Sequence, residues 1–267
     1  MDLLSHTLTG IAVGTVFSAL SKTSWKGKTA IVLAGGLGGA LPDFDAISLW
    51  SGFDATIGSA LGLSHSGSEI YFGKFWYSHH GAMHSLLAPL VILGMVILFR
   101  FWRKEKRQPS TGSTHGVPKL VYPAFFFGFF FHLLEDMPTP ASVWGGVNLF
   151  FPSSDYVGGY GKIWWWNNYD LFLIILSVIF CNLLLEAIQW LGPKIKIPRG
   201  MAAIVFGLGF GLFIFQIQSR PVDFSYSGHT VNYNQYEKQS LEIQRDLLGD
   251  RLYEFMYDLD QAIPLYF

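Results

Sequence analysis

The chain has 267 residues, of which 51% are hydrophobic and only 14% are charged. Soluble domains carry about 25% charged residues, so the composition points to a membrane protein rather than a soluble one. The net charge of −1 argues against a nucleic-acid binder. The one cysteine, Cys181, lies in an apolar run and leaves no disulfide framework and no thiolate metal site.

Six apolar stretches read as membrane-spanning helices, roughly 3–20, 29–42, 85–102, 120–135, 170–191 and 200–218. The first has no basic residue before Lys22, so it reads as a helix and not as a cleaved signal peptide. Gly10, Gly14 and Ser18 form a small-residue seam along it that permits close helix contact. His6 lies on the same stripe and is expected to face the bundle. The second and fourth stretches are short for a hydrocarbon core of about 30 Å. They read as broken helices or as helices ending within the membrane, and Asp43 and His132 stand where they stop. Loop 46–78 is rich in Gly and Ser, and loop 137–169 carries Pro138, Pro140, Gly145, Gly146 and Pro152. In the fifth stretch Glu186, with Asn182 and Gln189 nearby, is expected to hydrogen-bond across the bundle.

Beyond residue 218 the pattern changes. Residues 222–233 alternate around Ser227-Gly228 and predict a hairpin. Residues 236–259 place Leu241, Leu248, Leu252, Phe255 and Leu259 on one stripe and predict an acidic amphipathic helix. Packing against the protein or the headgroups is the simpler role for it; a substrate-gating lid is the alternative. The predicted fold is an all-α polytopic membrane protein of about six transmembrane helices. A transmembrane domain covers 1–218, and an extracytoplasmic tail, hairpin plus helix, covers 219–267.

Segments 21–28, 100–119 and 192–199 hold twelve of the eighteen basic residues. They fall on one side, which the positive-inside rule makes cytoplasmic. Trp25, Trp102 and Trp190 then mark the inner boundary, and Trp76, Trp144 and Trp164-Trp165-Trp166 the outer one.

Seven ionisable residues of metal-ligand type gather at the opposite ends of the apolar stretches: His6, Asp43, Asp45, His79, His84, His132 and Asp136. At 1.5 Å per helical residue, His6, Asp43, His84 and His132 lie about 20–24 Å from their nearest cytoplasmic markers, Lys22, Lys28, Arg100 and Lys119. They agree within about one helical turn, so the clusters can meet a little below the outer surface. His132 and Asp136 share a helical face, and Asp43 and Asp45 point the same way in an extended segment. His84 has two candidate partners. His80 lies one helical turn before it, whereas His79 needs a break at Gly81 to come round. Taken singly, His6 reads more readily as a hydrogen-bonded core residue, while the aspartates could be a solvated loop and His132 with Asp136 a structural pair. Their matched depth is what favours a common metal. His65, His115 and His229 read as surface residues. Glu69, Glu135 and Asp54 are candidates for supporting or acid–base roles.

These residues resemble the family of LexA-binding, inner-membrane metal-dependent hydrolases over roughly residues 1–155. The matching elements are His6-x-x-x-Gly10, Pro42-Asp43-Phe44-Asp45, His79-His80-Gly81-Ala82-Met83-His84-Ser85 and His132-Leu133-Leu134-Glu135-Asp136, followed by Thr139, Gly146 and Pro152. The family often carries arginine where this chain has His80. The resemblance thus implies His79 with His84 as the ligand pair and leaves His80 as a substrate contact, a proton shuttle or an alternative ligand. A more distant similarity to the zinc-dependent phospholipase C and nuclease superfamily implies phosphoester chemistry by analogy alone.

The expected activity is hydrolysis of a membrane lipid or lipid-linked phosphoester or ester at the outer face of the inner membrane. Histidine and carboxylate ligands suit zinc, with manganese or iron as alternatives. Seven candidate ligands exceed the usual four and allow one ion or two. Asp45, His80 and Glu135 are the candidate acid–base groups. Two other readings stand beside this one: a divalent-cation transporter, which would need polar groups along a whole path, and a non-catalytic protein stabilised by a metal in a closed site.

Overall fold

The computed structural model describes residues 1–105, 118–192, 194–224 and 233–262. The first helix, α1 (Leu3–Leu20), starts at Asp2. The Asp2 carboxylate accepts hydrogen bonds from the Ser5 backbone N–H at 2.9 Å and from the Ser5 hydroxyl at 2.8 Å. One of the donors left open at a helix N-terminus is thereby satisfied. Helix α2 (Trp25–Ala40) ends just before Pro42, where the chain bends by 50° into a 3-10 helix, Pro42–Leu49. Pro42 lacks the N–H that a continuing α-helix needs, and its fixed φ suits the first position of a new helix.

The expected small-residue seam is real and faces α2. A Cβ on Gly10 would lie 2.2 Å from the Gly35 carbonyl oxygen, and one on Gly14 would lie 2.7 Å from Val32 Cα. Helix α5 (Val121–Asp136) joins them through Gly128, whose Cβ would lie 2.2 Å from the same Gly35 oxygen. Three backbones therefore touch without side chains between them. On the other flank of α1 lie α6 (Tyr169–Leu191) and α7 (Met201–Ser219), where Ala12 packs with Leu171, Ile175, Val178 and Phe213. Helix α4 (Leu87–Glu105) rests on α5 and exposes Leu90, Val91, Met95 and Leu98. In a soluble protein that surface would be a liability; it suits lipid.

All six apolar stretches are helical, but the count of spans differs from the expectation. α1, α6 and α7 are long and apolar enough to cross a membrane, and α2 with its bent continuation makes a fourth candidate. α4 is apolar only over Leu87–Trp102. The 16 residues of α5 reach about 24 Å, short of a core of about 30 Å. Length and composition therefore support three or four spans, and the described residues form no strand. Within the bundle Lys28 pairs with Glu186, Asn182 Nδ2 donates to Thr15 Oγ1 at 2.8 Å, and Gln189 Nε2 donates to the Ile197 carbonyl at 2.7 Å.

The loops at the other end are ordered by local contacts. A short helix, α3 (Gly67–Tyr71), is opened by a Ser66–Glu69 capping box. Trp144 Nε1 donates to the Tyr71 carbonyl at 2.8 Å, and the Asn148 N–H donates to the His80 carbonyl at 3.0 Å. Segment 137–168 thus braces the histidine loop.

The tail is not one helix. α8 (Tyr233–Leu248) and α9 (Asp250–Ala262) are separated by Gly249, at φ +72°. Glycine enters this left-handed conformation without a Cβ penalty, so it ends one helix and resets the register of the next. α9 consequently buries Tyr253 and Met256 against Tyr169, while Phe255 and Leu259 of the expected stripe are 63% and 37% exposed. The expected hairpin falls largely on 225–232, outside the described residues, as do His115 and His229. Buried Arg220 ties the tail to the bundle. It donates to both Asp170 carboxylate oxygens, at 2.6 and 2.8 Å, and to Asn168 Oδ1 at 2.9 Å, while the Asp170 N–H donates to Gln244 Oε1 of α8 at 3.1 Å. Such forked contacts fix geometry as well as adding energy.

Candidate metal centre

The ends of α1, α2, α4 and α5 meet at one pole of the bundle. His6 lies one turn into α1, and the proline bend swings Asp43 and Asp45 off the end of α2. His84 closes a 3-10 turn just before α4, and His132 and Asp136 occupy the last turn of α5. All seven residues proposed as ligands come together here. His6, His84 and His132 are fully buried.

Four atoms form a cage. His132 Nε2 is 3.3 Å from His84 Nε2, 3.6 Å from Asp43 Oδ1 and 3.1 Å from Asp136 Oδ2. His84 Nε2 is 3.5 Å from Asp43 Oδ1 and 3.6 Å from Asp136 Oδ2. Asp43, His84 and His132 offer ligand atoms within 4.8 Å of one another, as do His6, His132 and Asp136, so two overlapping sets that share His132 could each hold a cation. His6 Nε2 stands beside the cage, 3.1 Å from Asp136 Oδ1. His79, His80 and His84 form a neighbouring group whose ring nitrogens lie within 4.8 Å of one another.

The supporting contacts fit a cation as well. Four imidazoles have Nδ1 against an oxygen: His6 on Glu135 Oε2 at 2.8 Å, His79 on Asp45 Oδ1 at 2.7 Å, His80 on the Gly146 carbonyl at 2.8 Å, and His132 on the Gly39 carbonyl at 2.7 Å. A neutral ring that donates from Nδ1 keeps its lone pair on Nε2, which is how metal-binding histidines are oriented. His6 Nε2, Asp136 Oδ2 and Asp45 Oδ2 are buried with no hydrogen-bond partner. Buried polar atoms nearly always have one, and a divalent cation would supply it.

His80 is held in a left-handed conformation, φ +61°, which is strained for a residue with a side chain. Two hydrogen bonds maintain it: its carbonyl accepts from Asn148 and its ring holds Gly146, while its N–H lies 3.2 Å from His84 Nδ1. Trp144 stacks on His80 at 4.6 Å and Tyr71 on His79 at 4.4 Å. Burial, with His79 and His84 alongside, lowers the His80 pKa well below its usual value. Burial, with the carboxylates of Asp43, Asp45 and Asp136 nearby, raises that of Tyr71.

A cavity of about 260 Å³ opens over the cage. Asp43, His79, His80 and Asp136 reach it, and Tyr71 and Trp144 wall it. Glu135 and Asp45, candidates for acid–base work, are engaged elsewhere. Glu135 faces α1, on His6 and on the Thr9 hydroxyl, and Asp45 holds His79. His65 is partly buried against Phe75, Glu69 caps α3, and Asp54 accepts from the Gly67 N–H, all apart from the cage. Sequence reasoning missed Thr9, Tyr71, Trp144 and the carbonyls of Gly39 and Gly146. Thr9 was legible, three residues after His6 on the same helical face; the carbonyls carry no side-chain signal at all.

If Glu135 orients His6, Glu135→Ala should weaken zinc binding about 10–100-fold, the usual cost of losing such support. Glu135→Gln, which keeps an acceptor for His6 Nδ1, should lose less. Competition with a chelating dye would measure both.

No curated protein and no solved structure matches the chain. A family model described as YdjM inner membrane protein matches residues 1–220, most of the sequence and all of the residues that build the cage. The chain belongs to the YdjM inner membrane protein family.

Proposed function

We propose that this protein is a membrane-embedded, metal-dependent hydrolase acting on a lipid or lipid-linked phosphoester or ester. The observation that carries the reading is the cage of His84, His132, Asp43 and Asp136, in which His132 Nε2 lies within 3.6 Å of an atom of each of the others, on the floor of an aromatic cavity at the end of an apolar bundle. In this reading all six apolar helices enter the membrane. The basic segments face the cytoplasm and the cage faces the extracytoplasmic side. Residues 1–218 form the catalytic unit, and 219–267 form a separate tail whose helices α8 and α9 pack on the bundle.

His84, His132, Asp43 and Asp136 would hold the first cation, with His6 beside them; zinc fits best, with manganese or iron as alternatives. A second cation on His79, His80 and His84 would commit His80 to metal; with a single cation its Nε2 stays open to the cavity. A divalent cation in the cage supplies Lewis acidity to a phosphoryl or acyl oxygen and acidifies water. The chain does the rest. Tyr71 and Trp144 shield the floor of the cavity from bulk water. Asp45 and Glu135 position His79 and His6. His80 reaches the cavity with its Nε2 4.0 Å from Asp136 Oδ2 and its other nitrogen held by Gly146. Its Nε2 would accept a hydrogen bond from the attacking water and relay that proton to the leaving alkoxide, the cation rather than the ring's own basicity making the water acidic.

The test is metal analysis of the purified protein together with a screen of lipid hydrolysis. Bound divalent metal is expected, with hydrolysis that a chelator abolishes and metal restores. His80→Ala should retain metal and lose about a hundredfold or more in kcat, the typical contribution of a positioned acid–base group. One observation favours a second reading. His6, His84 and His132 are fully buried and Asp136 nearly so, which resembles a closed structural site, whereas a catalytic zinc keeps a coordination position open. A protein that binds metal, melts at lower temperature without it and hydrolyses no lipid would overturn the catalytic reading in favour of that one.

A further inference from the structure

The cavity over the cage has a charge pattern of its own. Tyr71, Trp144, Trp165, Trp166 and Tyr233 supply aromatic wall, and Asp2, Asp43 and Asp136 supply carboxylates, but no Lys or Arg lines it among the described residues. Nearby basic groups are engaged elsewhere: Arg220 on Asp170, and Lys74 over the Tyr156 ring at 5.2 Å. Sites that bind an anion through side chains normally use Arg or Lys. Here a phosphate would meet cations in the cage and the Met1 α-ammonium, which pairs with Asp136 Oδ1 at 2.9 Å at the cage end of the cavity. The remainder of the cavity is aromatic and acidic, which is the chemistry that holds a positive charge.

We propose that the cavity seats an ammonium-bearing phosphoester headgroup of a lipid, of the phosphocholine or phosphoethanolamine type, with its phosphate towards the cage and its ammonium among Trp166, Tyr233 and Asp2. This rests on the reading of the cage as a metal centre that meets lipid. Part of the seat lies outside the family match, which ends at residue 220. Tyr233 begins α8, and Glu237 of the same helix accepts from Trp166 Nε1 at 2.9 Å and fixes that ring. The tail therefore sets headgroup preference, a specific role for a segment that otherwise only packs.

The full chain in a nonionic detergent, loaded with zinc, would be titrated with short-chain lipids and followed by tryptophan fluorescence or calorimetry. Phosphocholine- and phosphoethanolamine-headed lipids should bind about tenfold more tightly than a phosphoglycerol-headed one, the scale of a partly desolvated cation–π contact. Soluble phosphocholine should compete for the seat. Asp2→Asn removes the charge yet leaves a good helix cap, and Trp166→Ala removes a ring. Each should reduce the preference severalfold while phosphoglycerol binding holds, and Trp166→Phe should restore most of it. Equal or tighter binding of the phosphoglycerol lipid, or no competition by phosphocholine, would overturn the proposal. Selective binding without turnover would support it and count against hydrolysis alone. Turnover without headgroup preference would overturn it and leave hydrolysis standing.

Discussion

Replacing His132 with alanine should empty the metal centre while leaving the bundle folded. The ring contributes one corner of the cage, and that corner is within 3.6 Å of each of the other three. Without it two carboxylates and His84 remain, with the charge of Asp43 and Asp136 opposed by fewer donors. Structural zinc sites bind through four ligands, and binding to an incomplete set falls steeply because the lost bond is not replaced by water of equal strength. Bound metal should drop from about one equivalent per chain to below about a tenth of that. Hydrolysis, if the centre is catalytic, should vanish with it. Asp43→Ala should behave alike. His65→Ala, apart from the cage and stacked on Phe75 at 4.3 Å, should keep its metal. Inductively coupled plasma spectrometry on the three variants, with circular dichroism to check helicity, decides the matter. A His132→Ala protein with full metal content would remove the cage from consideration.

The helices were legible because apolar runs between basic segments are long-range signals that neighbouring residues do not obscure. The pole where they meet was legible for the same reason, since equal helix rise from a common boundary places His6, Asp43, His84 and His132 at one depth. The spacing of His132 and Asp136 put both on one face of α5. Glu135, about 100° round the helix from Asp136, was bound to face another way, and it turns to α1. The choice between His79 and His80 was not legible. It depends on a left-handed residue and on a carbonyl 66 positions away, neither of which leaves a pattern in the chain. The number of spans was less legible, because apolar composition fixes where a helix can lie but not how far it reaches. α5 stops after 16 residues, at the polar pair that faces the cage. In the tail, periodicity was followed through Gly249 as though the helix were continuous.

Gly39→Ala should damage both the fold and the site, since this residue joins the two. Its missing Cβ would lie 2.2 Å from the His6 carbonyl oxygen and 3.1 Å from Gly10 Cα. Both are backbone atoms that no rotamer change can move, so α1 and α2 would have to separate. Overpacking of this kind costs roughly 3 kcal/mol or more when the neighbour cannot yield. The displacement also acts on the metal centre. His6 moves with α1, while the Gly39 carbonyl that accepts from His132 Nδ1 at 2.7 Å moves with α2. One added methyl group thus pulls apart a cage corner and its support, and it should lower the melting temperature and the metal content together. Gly94→Ala is the matched control. Its Cβ would enter open space in α4, where alanine is about 1 kcal/mol better than glycine in a helix. That variant should melt no lower than the parent and keep its metal. If Gly39→Ala instead melted like Gly94→Ala and bound metal normally, the close approach of α1 and α2, and with it the placement of His6 beside the cage, would have to be abandoned.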